Sequence, residues 1–389
     1  MPSPYSEEHD LFRKQVRQFA ETELAPHAEA WERDRTFPNW VFQKAGELGI
    51  LGAHYPEEVG GGGGDYWFSV VKSEELVRCE AAGVTMGLLV QSDMATPCIN
   101  ELGTKEQKEE FLRPALAGER IAALGVSEPG AGSDVAGIRT TAKKDGDDYV
   151  INGSKTYITN GTRADFVTLL VKTDPDAGYG GISILLFPTD TKGFAVSKKL
   201  EKIGNHASDT AELFFEDCRI PQRYLLGEEG KGFYYLMQNF QSERLIGATS
   251  TLAGARRALD RSVAYGKERK AFGKPIMARE VWKHTFADLY TKAEAAKSLC
   301  YETVADFNEE RYVKGTEISM ETVKKIAMCK LFVGDVANEI MDTCLQFHGG
   351  MGYLEELWVA RAWRDQRLFR IGGGTSEVMK YMIAKIMGW

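Results

Sequence analysis

Residues 125 to 137 read Gly125-Val-Ser-Glu-Pro-Gly-Ala-Gly-Ser-Asp-Val-Ala-Gly137, with four glycines, two serines and two carboxylates. Glycines let backbone N–H groups approach a ligand, and the Ser127 and Ser133 hydroxyls add donors, so the segment suits an anion or a cofactor. A Gly/Ser surface turn explains the same residues about as well. Lys155-Thr-Tyr-Ile-Thr-Asn-Gly161 follows and, alone, reads as an ordinary strand. Further on, Glu243, Gly247, Ser250 and Gly254 share one helical face at offsets of 4, 7 and 11. Small residues leave a groove, and a carboxylate at its head can act as a base. The competing reading is close helix packing, with Glu243 paired to a basic neighbour. Arg269-Lys-Ala-Phe-Gly-Lys274 is a basic loop, and His348 in Gln346-Phe-His-Gly-Gly-Met-Gly-Tyr353 reads as structural.

Elements that could position these groups follow from composition and periodicity. At 389 residues, two or three domains are expected. A net charge of −8 argues against a nucleic-acid surface. Six scattered cysteines without a C-x-x-C pair fit reduced thiols, not a disulfide framework or a zinc site, so no metal is expected. No apolar run is long enough to span a membrane. The acidic opening Met1-Pro-Ser-Pro-Tyr-Ser-Glu-Glu-His-Asp resembles neither a signal nor a transit peptide, so a cytoplasmic location is expected.

The chain divides by pattern into residues 1–120, 121–232 and 233–389. The first part is helical: Leu11, Phe12, Gln15, Val16 and Phe19 form a stripe, and Ser6 with a nearby glutamate forms an N-cap. Pro56–Asp65, with Gly60–Gly64, reads as a flexible connection. In the second part, Asp145-Gly146 and Asn152-Gly153 are hairpin turn signals between short β-branched and aromatic runs, predicting an antiparallel β-domain. The third part carries long amphipathic stripes, Leu245 to Val263 and Val323 to Gly334, predicting an antiparallel four-helix bundle.

This α+β multidomain order, with the quoted segments, resembles the acyl-CoA dehydrogenase family over essentially the whole chain. The resemblance implies FAD as cofactor, with Leu124, Val126, Ser127, Gly132 and Ser133 in its binding segment. It implies that Tyr157, Ile158 and Thr159 lie along the isoalloxazine, with Tyr157 in place of the usual Trp. Arg269 and Phe272, with Gln346, Gly349 and Gly350, would reach the FAD of a neighbouring subunit. Arg279-Glu280 departs from the family, which usually has an aromatic residue or His followed by Gln there.

In Arg370-Ile-Gly-Gly-Gly-Thr-Ser-Glu-Val378, Gly373 stands where many members carry the catalytic glutamate. Isovaleryl-CoA and long-chain enzymes instead place a glutamate on the bundle helix, and Glu243-Arg244-Leu245 stands at that place. The resemblance therefore implies Glu243 as the base, with the Gly373 N–H polarising the thioester. It puts Thr375 and Glu377 beside the cofactor, Ser133 at the CoA portion, and Phe240 with Arg244 around the acyl group. The implied reaction is α,β-desaturation of an acyl-CoA, on a branched or medium-to-long chain. Gln91-Ser-Asp-Met-Ala-Thr-Pro97, Ile371-Gly-Gly-Gly and the ending Lys385-Ile-Met-Gly-Trp389 are similar to citronellyl-CoA-type members. Implied partners are an electron-transferring flavoprotein and further copies of the chain in a homotetramer, a dimer of dimers. Oxygen-using flavoenzymes of the same fold, such as acyl-CoA oxidases, and a non-enzymatic flavoprotein are the alternatives.

Overall fold

The computed structural model describes residues 4–389, so Met1, Pro2 and Ser3 of the acidic opening lie outside the described residues. Helix α1 (Glu7–Gln18) starts at Ser6, whose hydroxyl accepts from the His9 N–H. The reciprocal cap partner is the His9 ring, not a glutamate, and the ring also reaches Asp65 at 2.9 Å. Phe12, Val16 and Phe19 are buried as their spacing predicts, but Leu11 is 64% exposed. The stripe is narrower than expected, because α1 has only one covered side.

Pro56–Asp65 is not a loose tether. Gly61, Gly62, Gly63 and Gly64 donate to Pro56, Gly52, Tyr55 and Ala53 carbonyls. A Cβ at Gly61 would sit 2.1 Å from the Tyr55 carbonyl oxygen, so glycine here permits close backbone approach rather than mobility. Asp65 then caps α2 (Tyr66–Leu76) through the Trp67 N–H, and α3 (Ala82–Leu89) follows.

From Ala122 the chain turns to strands β1 (Ala122–Gly125), β2 (Thr141–Asp145), β3 (Asp148–Thr159), β4 (Phe166–Lys172), β5 (Ile182–Pro188), β6 (Phe194–Lys199), β7 (Thr210–Pro221) and β8 (Leu225–Leu226). They form one sheet in the order β6-β7-β3-β2-β4-β5-β8, with β1 beside β4. Pairing is antiparallel except where β4 meets β1 and β2. Asp145-Gly146 makes the β2–β3 hairpin, with Gly146 at φ +63°. Asn152-Gly153 does not turn the chain. It is a bulge inside β3, held because Asn152 exchanges hydrogen bonds with Asp217 on β7 at 2.9 and 3.0 Å.

Four helices complete the chain's bundle: α4 (Gly232–Glu268), α5 (Glu280–Asn308), α6 (Met320–Phe347) and, after α7 (Trp358–Gln366), α8 (Ser376–Ile386). Leu245, Ala248, Leu252, Ala255 and Leu259 are buried along α4, as their period requires. A two-stranded hairpin, β9 (Lys270–Ala271) with β10 (Lys274–Pro275), joins α4 to α5. The apolar interior does not follow the three chain segments. One cluster joins α1–α3 to the bundle, while a second fills the sheet and draws in Ile99, Phe111 and Leu116 from the N-terminal helices. Phe240 on α4 packs against the second cluster, which sets the start of α4 against the sheet.

Candidate active site

At the end of β1 the Gly125–Gly137 segment is clamped from inside. Glu128 accepts from the Arg139 and Thr140 N–H groups at 2.5 and 3.0 Å and from Lys155 Nζ at 2.8 Å. Lys155 is fully buried and donates again to the Val126 carbonyl at 3.1 Å. Burial pushes the Lys155 ammonium down to about 8 despite Glu128, and the surrounding donors hold Glu128 below the usual carboxylate range against its own burial. Backbone and ion pair thus give a Gly-rich loop a fixed shape. With that shape set, Gly132 and Ser133 are exposed, and a Cβ on Gly130 or Gly132 would meet nothing within 4 Å.

The Thr156 N–H donates to the Ser127 carbonyl at 2.9 Å, which ties β3 to this loop. A second bulge in β3, between Lys155 and Ile158, throws Tyr157 outward at φ +62°. Tyr157 is 72% exposed between buried Thr156 and Ile158. A left-handed backbone at a bulky residue costs on the order of 1 kcal/mol, and such strain persists where the surroundings impose it. Thr159 is partly exposed beside it, and Asn160 anchors the strand end by donating to the Gly87 and Ala122 carbonyls at 3.1 and 3.2 Å. Two residues that the resemblance puts at the cofactor turn their side chains away from the surface. Ile158 and Val126 point into the sheet's core, at 2% and 8% exposure, so only their backbones are available. Leu124 on β1 remains half-buried.

Across from the sheet, α4 presents Glu243. Its Oε2 is sealed from solvent and has no hydrogen-bond partner among the described residues. Burial pushes its carboxyl up to about 7, against the pull of Arg244 and Lys330. Among the described residues no ion pair ties it down, which argues against the competing reading of a salt-bridged packing residue. A Cβ built on Gly373 would lie 3.4 Å from Glu243 Oε1. Arg244 Nε donates to the Gly373 carbonyl at 3.0 Å, its guanidinium lies 5.5 Å from the Phe240 ring centre, and Lys330 Nζ donates to the Phe369 carbonyl at 2.9 Å. The groove expected along α4 is partly filled, since Phe369 packs 2.9 Å from a Cβ at Gly247, while Gly254 stays open.

Residues 6–119, 123–218 and 230–388 match the N-terminal, middle and C-terminal domains of acyl-CoA dehydrogenases. The chain belongs to the acyl-CoA dehydrogenase family. It is 39% identical to the mouse mitochondrial long-chain specific acyl-CoA dehydrogenase over 98% of this chain and 86% of that one. The butyryl-CoA dehydrogenase structure from Megasphaera elsdenii superposes with a TM-score of 0.93 at 34% identity, covering all of both chains. An acyl-CoA dehydrogenase from Bacillus anthracis complexed with FAD superposes with a TM-score of 0.93 at 30% identity, covering 100% of this chain and 69% of that one.

The family's flavin fits the surface described. An outward aromatic face at Tyr157, open space over Gly130 and Gly132, and an orphaned carboxylate oxygen on Glu243 leave room and unsatisfied groups for a planar ligand and its substrate. Thr375 caps α8 through the Val378 N–H, and Glu377 is exposed in that first turn. Hydrogen bonds from its own N–H and from Thr375 hold the Glu377 carboxyl low, which suits an acceptor and not a proton-abstracting base.

Arg269, Phe272, Gln346, Gly349 and Gly350 do not join this site within one chain. Arg269 caps the C-terminal end of α4, 26 residues beyond Glu243 and about 39 Å along the axis at 1.5 Å per residue. The Gln346 segment sits at that same far end, where His348 stacks on Tyr265 at 4.4 Å and its Nδ1 bonds the Cys344 carbonyl at 2.7 Å. Phe272 stands 96% exposed at the hairpin tip, and departing residue Arg279 grips that hairpin through the Ala271 carbonyl at 3.1 Å. Sequence reasoning missed Lys330, Lys155, Glu128 and Arg279 as supports. A lysine inside an apolar stripe was the available signal for Lys330.

Proposed function

We propose that the chain is an FAD-dependent dehydrogenase that converts an acyl-CoA thioester to its trans-2-enoyl-CoA. The observation that carries this reading is Glu243: a buried, unpartnered carboxylate beside the empty Cβ position of Gly373. Glu243 takes the α-proton onto its carboxylate, and a value near 7 suits a base working near neutrality. The Gly373 N–H has no acceptor among the described residues and serves as donor to the thioester oxygen as enolate charge develops. Arg244 aims that N–H by holding the same residue's carbonyl. A bound FAD would supply the hydride acceptor for the β-hydrogen.

Leu124, Ser127, Gly132, Tyr157 and Thr159, with the backbones of Val126 and Ile158, form the flavin face in this reading, with Thr375 and Glu377 close by. Ser133 meets the CoA portion, and Phe240 with Arg244 borders the acyl group. Arg269, Phe272, Gln346, Gly349 and Gly350 serve the FAD of a neighbouring copy in a homotetramer, which accounts for an almost wholly exposed Phe272. The substrate is a branched or medium-to-long acyl-CoA, electrons leave to an electron-transferring flavoprotein, and the protein works in the cytoplasm, where six buried free cysteines stay reduced. Domain boundaries at 120 and 232 belong to the same reading. Anaerobic flavin bleaching by a panel of straight and branched acyl-CoAs tests it. Bleaching by none of them refutes the reaction, and rapid reoxidation of the bleached flavin by air points to an oxidase instead.

A further inference from the structure

A cavity of about 630 Å³ opens where α7, the loop between β6 and β7, and the helical segment Ala28–Asp34 meet, and none of the groups around Glu243 and Gly373 lines it. Carboxylates tie its base together. Arg364 Nη2 donates to Glu32 Oε2 at 3.0 Å, Glu32 Oε1 accepts from the Ala207 N–H at 3.0 Å, and Asp365 Oδ1 accepts from the Asn205 N–H at 2.5 Å. Arg361, one turn before Asp365 on the same face of α7, stays outside that web. It is 6% exposed, and its guanidinium makes no hydrogen bond or ion pair among the described residues. Its nitrogens are not among the sealed polar atoms, so each keeps some surface, and Arg361 lines the cavity. Arginine does not shed its proton near neutrality, and a buried charge without a counter-charge is strongly destabilising. The base of the cavity therefore calls for an anion.

The other lining groups decide which anion. Arg33 pairs with Asp34 at 3.3 Å, Arg35 lies 3.7 Å from Glu201, and burial pushes the His206 ring down, which keeps it neutral. Glu29, Glu355 and Glu356 stand exposed at the mouth, without an ion-pair partner among the described residues. Met351 and Leu354, 50% and 44% exposed, add an apolar wall. Phosphate, sulfate or a nucleotide would have to pass three carboxylates to reach Arg361, and like charges at short range oppose that. A fatty-acid anion meets Arg361 but gains nothing from the glutamates. A small molecule with a carboxylate at one end and an ammonium at the other answers both ends. The guanidinium fork takes the carboxylate in two parallel hydrogen bonds, an apolar stem covers Met351 and Leu354, and the ammonium lies among the glutamates.

We propose that this cavity is a second ligand site, which binds a small ω-amino carboxylate with its carboxylate on Arg361 and its ammonium among Glu29, Glu355 and Glu356. Titration calorimetry of the FAD-loaded protein tests it with 6-aminohexanoate, hexanoate and hexylamine, which share one stem and differ in their charged ends. 6-Aminohexanoate is expected to bind once per chain, more tightly by about tenfold than hexanoate, which lacks the ammonium, or hexylamine, which lacks the carboxylate. Arg361→Gln should weaken 6-aminohexanoate by about tenfold. The surface pair Glu355→Gln with Glu356→Gln should bring it down towards hexanoate, and serves if Arg361→Gln does not fold. The proposal fails if 6-aminohexanoate does not bind, if hexanoate or hexylamine binds as tightly, or if the glutamate pair leaves its affinity unchanged. Binding is read without turnover, so none of these outcomes touches the dehydrogenase reading, which flavin bleaching by acyl-CoAs tests separately.

Discussion

Glu243 and Gly373 compete for one small volume: a Cβ on Gly373 would lie 3.4 Å from Glu243 Oε1 and 3.7 Å from Lys330 Cε, although 130 residues separate them in sequence. Only one carboxylate fits there without two like charges meeting. Gly373 also sits at φ +65°, where a side chain is strained whatever the space.

Replacing that glycine should therefore cost stability in two steps. Gly373→Ala is expected to lose about 1 kcal/mol from backbone strain. Gly373→Glu should lose more, and more steeply at high pH, because its carboxylate adjoins Glu243. Chemical denaturation at about pH 6 and about pH 8 separates the two costs, and equal losses for both variants at both pH values would contradict the shared volume.

Glu243 must be ionised to accept a proton, so kcat/KM should rise with pH through about 7. Glu243→Gln should keep FAD, read by its absorbance, yet lose activity by a factor on the order of 10²–10⁴. Its folded value lies above the ordinary 4.5, so the folded state binds the extra proton between about 4.5 and about 7. Stability from this group is present below that window and falls as pH rises through it. Glu243→Gln escapes the loss and should be more stable than the parent at about pH 8, by on the order of 1–3 kcal/mol, with little difference at about pH 4.5.

Lys330 touches the Phe369 carbonyl at 2.9 Å and pulls the Glu243 carboxyl downward. Lys330→Met should move the acidic limb of the pH–rate profile upward by a fraction of a unit to about one unit, with flavin content preserved. An unmoved midpoint with reduced kcat would mean that Lys330 only packs.

At Tyr157 the strained backbone and the function pull apart. Tyr157→Gly removes a 72% exposed ring and relieves φ +62°. The apoprotein should gain about 1 kcal/mol in denaturation, while FAD dissociates more readily. Tighter flavin binding in this variant would refute the flavin-face assignment.

The clamp under the Gly125–Gly137 loop should behave as a buried ion pair. Lys155→Met strands Glu128 and is expected to cost about 3–5 kcal/mol, and adding Glu128→Gln should recover much of that loss. Thermal melts of the single and double variants, with flavin content, check both halves.

The amino-acid sequence alone determined the order of helices, strands and helices, the buried stripe of α4, and the segments that resemble a flavoprotein family. Each depends on short-range periodicity or on a local run of residue types, which a linear string records directly. Leu11, Asn152-Gly153 and the glycine run show where that record fails. Whether a stripe is covered, a turn pair bulges, or glycines are pinned depends on what packs against them from afar. Tertiary structure alone decided that Glu243 is unpaired, that Lys330 and Gly373 surround it from two other elements, and that Ile158 and Val126 turn inward. It also placed Arg269 and Gln346 at the far end of the bundle. Electrostatics and burial are properties of neighbours in space, and those neighbours stand 87 and 130 residues from Glu243 along the chain.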